Sequence, residues 1–292
     1  MNKQIIGHSE KLNLLHKAMC SDRGHQSFLF SGPESVGKYT IARAFADNLI
    51  VARDTCEWNV CNQADGDVSI IVPIVEEKKD KIIIHDISVK QIREASQILA
   101  LAPHGDAKVL IIDEAHRMGN AAQNALLKIL EEPQQDRYII LVTDSSQQML
   151  QTIHSRCFHM QFGIVDNTQL QQMYDGDKYI DDVDGRPGYL DRMHTDEEFR
   201  ENVEYARTQL QLFFQKELYE RMQLATDLSN KNDEYVQVFL NVWIYRIRNA
   251  AHKTQKFQLV KVADRVEDVL HKIRSTNVNK KLILEDLFIN MA

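Results

Sequence analysis

Phe28-Leu29-Phe30-Ser31-Gly32-Pro33-Glu34-Ser35-Val36-Gly37-Lys38 is the stretch on which the fold turns. The apolar triplet reads as a short buried strand, and after the lysine Ile41, Ala42, Phe45, Ala46 and Leu49 recur at helical spacing. A Gly-x4-Gly-Lys loop between a strand and a helix is a phosphate cradle. Its glycines let backbone N–H groups approach oxygen, the helix N-terminus favours negative charge, and Lys38 adds a point charge. One departure matters: the next position of such a loop offers a Ser or Thr hydroxyl to magnesium, and here it is Tyr39. Thr40 follows, but one step along a helix rotates the side chain by about 100° away. The loop is thus expected to hold phosphates while metal-assisted hydrolysis is impaired.

Working outward, Val109 to Ile112 is an uninterrupted aliphatic run, as suits a parallel sheet covered on both faces, and it ends in Asp113-Glu114. A carboxylate pair there is placed to hold magnesium and polarise an attacking water, or simply to complement a helix start. Asn120 to Glu132 has helical period and is stopped by Pro133, and Tyr138 to Val142 is a further buried strand. Upstream, Ser9 to Met19 and Ser88 to Leu101 read as helices, while Asp54 to Asp80 reads as polar and irregular. Strands alternating with helices of this length imply βαβ units and an α/β fold with a parallel sheet.

Beyond Phe162, Gly176, Gly185, Pro187 and Gly188 break the chain into short pieces, and only helical periodicity remains. Amphipathic stretches at roughly 201–229, 234–253, 257–275 and 280–291 predict an all-helical bundle. The expected organisation is a nucleotide-binding-like domain over 1–163, a small segment over 164–200 and the bundle over 201–292. Charge divides with it: 201–292 carries 14 basic and 12 acidic side chains, the first 200 residues 21 and 30. At 292 residues, 43% hydrophobic and 26% charged, the chain has the composition of a folded soluble protein. A net charge of −7 excludes a wholly cationic glove for nucleic acid. No apolar run approaches the ~18 residues of a membrane span, and no signal core follows Met1, so a cytoplasmic protein without membrane attachment is expected.

Four cysteines are too few for a disulfide framework. Cys56 and Cys61 have no second pair at ligand spacing, so they are read as ordinary thiols; zinc, or any other metal held by thiols, is not expected. Cys20 reads as packing. Arg156, in Ser155-Arg156-Cys157, is either a surface ion-pair partner or a cation reaching a neighbouring subunit's nucleotide. Asp113-Glu114-Ala115-His116 also spells the box of one helicase group, but those enzymes need two motor domains and this chain has room for one.

Together these pieces resemble the AAA+ clamp-loader subunits of bacterial DNA polymerase III, clearly over about 5–190 and more faintly in the helical tail. The strings that carry the resemblance are Val109–Met118 (VLIIDEAHRM), Asn124–Pro133 (NALLKILEEP) and Ser155-Arg156-Cys157. Ile87–Arg93 (ISVKQIR), Lys108, and Asn277-x-Asn279 with Leu282, Leu284 and Glu285 agree with it. The family implies an AAA+ P-loop domain with a parallel sheet, a small helical lid and an all-helical collar that holds subunits in a ring.

Within that family the residues resemble the delta-prime type more than the ATP-hydrolysing motor. Tyr39 replaces the magnesium-binding hydroxyl, the four-cysteine zinc module is reduced to Cys56 and Cys61, and Gly188 of Asp184–Leu190 (DGRPGYL) falls where motors place a second sensor arginine. The chain also ends after one bundle. The resemblance implies Gly32, Gly37 and Lys38 as the phosphate loop for ATP with magnesium, with Tyr39 set against the metal. It implies Asp113 and Glu114 as the acidic pair, Thr143 as the first sensor and Arg156 as a finger acting in trans. Expected partners are the motor subunits, the delta subunit, the sliding clamp and, through the assembled complex, primer-template DNA; Lys90 and Arg93 face that DNA or are a solvated helix face. The alternatives are an active gamma/tau-like motor in which Thr40 or a water takes over the metal contact, and a freestanding nucleotide-binding switch.

Overall fold

A computed structural model describes residues 5–19, 26–51, 66–78, 81–275 and 278–291. Cys20, Cys56 and Cys61 lie outside the described residues. The chain divides into two compact units, Met1–Asp166 and Asn167–Ala292.

In the first unit α1 (Ser9–Met19) precedes β1 (Ser27–Ser31), and the glycine loop leads into α2 (Lys38–Val51). Then come β2 (Val68–Ile71), a hairpin of β3 (Val75–Lys78) and β4 (Lys81–Ile84), α3 (Val89–Leu99), β5 (Lys108–Ile112), α4 (Asn120–Glu131), β6 (Arg137–Thr143), α5 (Gln151–His154) and β7 (Phe158–Gln161). The main sheet is five-stranded and parallel, in the order β2-β5-β6-β1-β7. Alternation along each strand sends neighbours to opposite faces. Phe28, Phe30, Val109, Ile111, Ile140 and Val142 pack on one side with α1 and α2. Leu29, Leu110, Ile112, Ile139 and Leu141 pack on the other with α3 and α4.

Two expectations for this unit are corrected. The segment 54–80, read as irregular, contains β2 and β3, and β7 was not legible at all. Both β2 and β7 are sheet edges, so half of each strand meets solvent or polar neighbours and the apolar run that marks β1, β5 and β6 is missing; Ile70 of β2 is 40% exposed. Just before β2, the buried carboxylate of Asp67 accepts N–H bonds from His104 (2.8 Å) and Gly105 (2.7 Å), and Lys108 Nζ lies 3.4 Å away.

The second unit is helical: α6 (Asn167–Met173), α7 (Pro187–Thr195), α8 (Glu197–Phe213), α9 (Leu218–Ser229), α10 (Asp233–Thr254), α11 (Phe257–Ser275) and α12 (Lys280–Asn290). The stretch expected as one helix over 201–229 is two, because the chain turns between Phe213 and Leu218, where Glu217 caps α9. Phe213, Phe239, Trp243 and Phe288 form its aromatic centre, and the Trp243 indole donates to the Ala206 carbonyl at 2.9 Å. The buried Asp182 carboxylate pairs with Arg246. Gly188 sits in the first turn of α7, behind Pro187. No helix among the described residues is long and apolar enough to cross a membrane.

Candidate functional site

The loop after β1 is built for close approach. Gly32 has φ +143°, and a Cβ there would stand 2.1 Å from the Phe162 carbonyl oxygen, so only glycine lets the chain pass the end of β7. Gly37 has φ +97° with open space where a Cβ would point. At the start of α2 the buried Lys38 donates to the carbonyls of Gly32 (2.7 Å) and Pro33 (2.6 Å), which folds the loop around its ammonium. The loop leads into the N-terminus of α2, whose dipole favours an anion here.

Strand order sets what faces the loop. Because β6 lies between β1 and β5, the end of β6 separates the glycine loop from the carboxylates beyond β5. Asp113 follows β5, with its N–H bonded to Ile71 at 2.9 Å and its own carboxylate accepting the Glu114 N–H at 2.9 Å. Burial pushes the Asp113 carboxyl above its ordinary range, helped by the charge of Glu114 and opposed by that N–H, by Lys38 and by His116. Glu114 holds φ +48°, a left-handed backbone uncommon for a non-glycine residue, and its side chain pairs with Arg117 at 2.5 Å. The Tyr39 phenol is raised by burial first and by the Asp113 carboxylate second, which makes these two side chains electrostatic neighbours. Thr40 is half-buried.

Thr143 ends β6 and is 1% exposed. Its hydroxyl accepts the Ser145 N–H at 3.1 Å and lies 3.3 Å from His116 Nδ1, which in turn stands 3.0 Å from Asp144. The structure therefore brings Gly32, Gly37, Lys38, Tyr39, Thr40, Asp113 and Thr143 to one end of the sheet, with Glu114 turned to Arg117. Arg156 is elsewhere on this unit. It follows α5 at the surface, with its side chain 32% exposed, Nη2 2.8 Å from the Glu131 carboxylate and Nη1 donating to the Thr152 carbonyl at 3.0 Å.

Three histidines join the site without having been singled out in the sequence. His8, itself at φ +59° after Gly7, has Nε2 3.1 Å from the Val36 carbonyl and its ring edge-on to Phe162; burial lowers its pKa, against that carbonyl. Ser31 Oγ, one residue before Gly32, is 2.6 Å from His159 Nε2. His116 falls in the Val109–Met118 string and in the helicase-like box, and neither reading gives its side chain a role. The one available signal was Gly7-His8 immediately before α1, a glycine-led helix entry.

The donor set fits a polyphosphate: glycine backbone, helix N-terminus and a buried lysine. It fits a magnesium ion less well, since Asp113 supplies oxygen but Tyr39 holds the place of the small hydroxyl. Among the described residues, no group of three or more His, Cys, Asp or Glu side chains is arranged to hold a metal ion.

A family model described as DNA polymerase III, delta subunit, matches residues 7–166. The DNA polymerase III subunit tau/gamma of Haemophilus influenzae is 31% identical over 175 residues, which is 58% of this chain and 24% of that protein. The gamma subunit of Buchnera aphidicola is 31% identical over 170 residues, 56% of this chain and 45% of its own, and the Escherichia coli tau subunit is 30% identical over 174 residues, 57% and 26% respectively. The matches thus span from about a quarter to less than half of these relatives' lengths. Among solved structures, a gamma subunit-related protein from Thermotoga maritima covers 96% of this chain and 97% of its own at 21% identity with a TM-score of 0.53, a likeness of fold.

Proposed function

The chain belongs to the DNA polymerase III, delta subunit family of AAA+ clamp-loader proteins, and we propose that it serves a clamp loader as a delta-prime-type subunit. In this reading it lends Arg156 to the ATP site of a neighbouring motor subunit. The observation that carries the reading is the placement of Arg156, a guanidinium at the surface of the P-loop unit, on the turn between α5 and β7. Positive charge delivered where a transferring γ-phosphoryl gathers negative charge is worth about 10³–10⁵ in rate.

The chain's own loop would hold nucleotide phosphates through Lys38, the α2 N-terminus and the backbone at Gly32 and Gly37. ATP with magnesium supplies phosphoryl-transfer chemistry when bound, and Tyr39 would weaken the metal's hold while Asp113 and Thr143 face the phosphates. Residues 164–200 would act as the lid and 201–292 as the ring collar. Partners in this reading are motor and delta subunits, the sliding clamp and, through the assembled complex, primer-template DNA, all in the cytoplasm.

The test is reconstitution with ATP-hydrolysing partner subunits. Arg156→Ala should lower their turnover about 10³-fold or more while the complex keeps its mass. Unchanged turnover sinks the reading.

A second reading, a gamma/tau-like motor subunit, is favoured by the names of the relatives above and by the presence of Gly32, Gly37, Lys38, Asp113 and Glu114. It requires the purified chain to hydrolyse ATP with magnesium and to lose that activity on Lys38→Ala.

A further inference from the structure

Leu130-Glu131-Glu132-Pro133 spans the C-terminal end of α4. Leu130 is buried in the core under α4, and Pro133 lies just past the helix end, so packing and helix termination account for both. Neither role asks for a glutamate at 131, whose side chain is 49% exposed. Yet its carboxylate stands 2.8 Å from Arg156 Nη2.

An arginine carries five N–H donors in a rigid planar fork. Nη1 of Arg156 donates to the Thr152 carbonyl at 3.0 Å and to Ser155 Oγ at 3.3 Å, and Nη2 faces Glu131. Among the described residues Nε makes no hydrogen bond, and Nη2 is engaged only by this ion pair. The guanidinium is therefore fastened on one side and open on the other. An exposed ion pair contributes little to stability, so the fold alone does not call for this one. What it does accomplish is to restrict a long side chain that would otherwise sample many rotamers, while leaving donors for an incoming anion.

Resting on the reading of Arg156 as a group acting in trans, we infer that Glu131 is its positioning residue: together with the Thr152 carbonyl it holds the guanidinium fork so that the unspent donors meet the neighbour's phosphate oxygens. The carboxylate has a cost, because its negative charge offsets part of the attraction a phosphate would feel. The acceptor oxygen is what placement needs, and glutamine supplies it without the charge.

The experiment uses the complex reconstituted with ATP-hydrolysing partners and follows their kcat and KM for ATP. Glu131→Ala should lower partner kcat about tenfold with KM changed by no more than about twofold, because disorder of a charge-delivering group is felt in the reaction step. Glu131→Gln should restore kcat to within about twofold of wild type, and Glu131→Ala should have no further effect in an Arg156→Ala background. A Glu131→Ala complex as fast as wild type overturns the inference, as does a Glu131→Gln complex as slow as Glu131→Ala. Should Arg156→Ala itself leave turnover unchanged, the reading of Arg156 fails and the inference falls with it; a collapse on Arg156→Ala beside an indifferent Glu131→Ala removes the inference alone.

Discussion

The ammonium of Lys108, at the first residue of β5, stands 3.4 Å from the carboxylate of Asp67, and both side chains are 4% exposed. Burial alone would raise the Asp67 carboxyl, but the N–H groups of Gly105 and His104 and the charge of Lys108 hold it below its ordinary 3.8.

Asp67→Ala leaves that ammonium buried without its counter-charge and should cost about 3–5 kcal/mol in urea unfolding at neutral pH. The pH dependence follows from the depressed folded value. The contribution is fully present above the ordinary carboxylate value and is lost as acid takes the pH down through the folded one. Wild type should therefore show a steeper loss of stability below about pH 4 than Asp67→Asn. Parallel acid limbs would show that Asp67 is not a source of the slope.

The two loop glycines should differ in what alanine does to them. At Gly32 the new Cβ meets the Phe162 backbone at 2.1 Å, so Gly32→Ala must push β1 and β7 apart and should lose well over about 1 kcal/mol of stability. At Gly37 there is open space and only the positive φ is penalised, roughly 1–2 kcal/mol. Thermal melts of the two variants rank them; equal losses would mean the approach to Phe162 relaxes freely.

Tyr39→Thr restores a small hydroxyl at the first turn of α2. Nucleotide binding by wild type should change little when magnesium is replaced by EDTA, and that of Tyr39→Thr should become strongly magnesium-dependent, by about tenfold in Kd, read with a fluorescent ATP analogue. Equal magnesium dependence in both proteins would show that the phenol does not displace the metal.

Burial pushes the Cys157 thiol up to about 12. At pH 8 almost no thiolate is present in the folded protein, so iodoacetamide should label Cys157 slowly, and urea should release the ordinary rate. Peptide mapping by mass spectrometry separates it from the other cysteines. Rapid labelling of the native protein would contradict the burial.

Legibility in the sequence followed locality. Phe28–Phe30, Val109–Ile112 and Ile139–Val142 announce themselves because a strand covered on both faces needs no polar alternation, and Gly32 to Lys38 is read from neighbours alone. Val68–Ile71 and Phe158–Gln161 were lost because an edge strand is defined by the partner it finds, β5 or β1, and not by its own few residues. The same reason hid the contacts that complete the site. His8 to Val36, Thr143 to His116 and Glu131 to Arg156 are made between residues far apart in the chain, and only the order of the strands and helices brings them into reach.

That order has a mechanical consequence. With β6 interposed, the glycine loop and the acidic residues are held two inter-strand steps apart, roughly 9.5 Å. No side-chain substitution can narrow or widen this gauge, since hydrogen bonds along three strands fix it. Evolution is then free to alter what sits at the jaws, a phenol for a hydroxyl at 39 for instance, without retooling the vice that holds them.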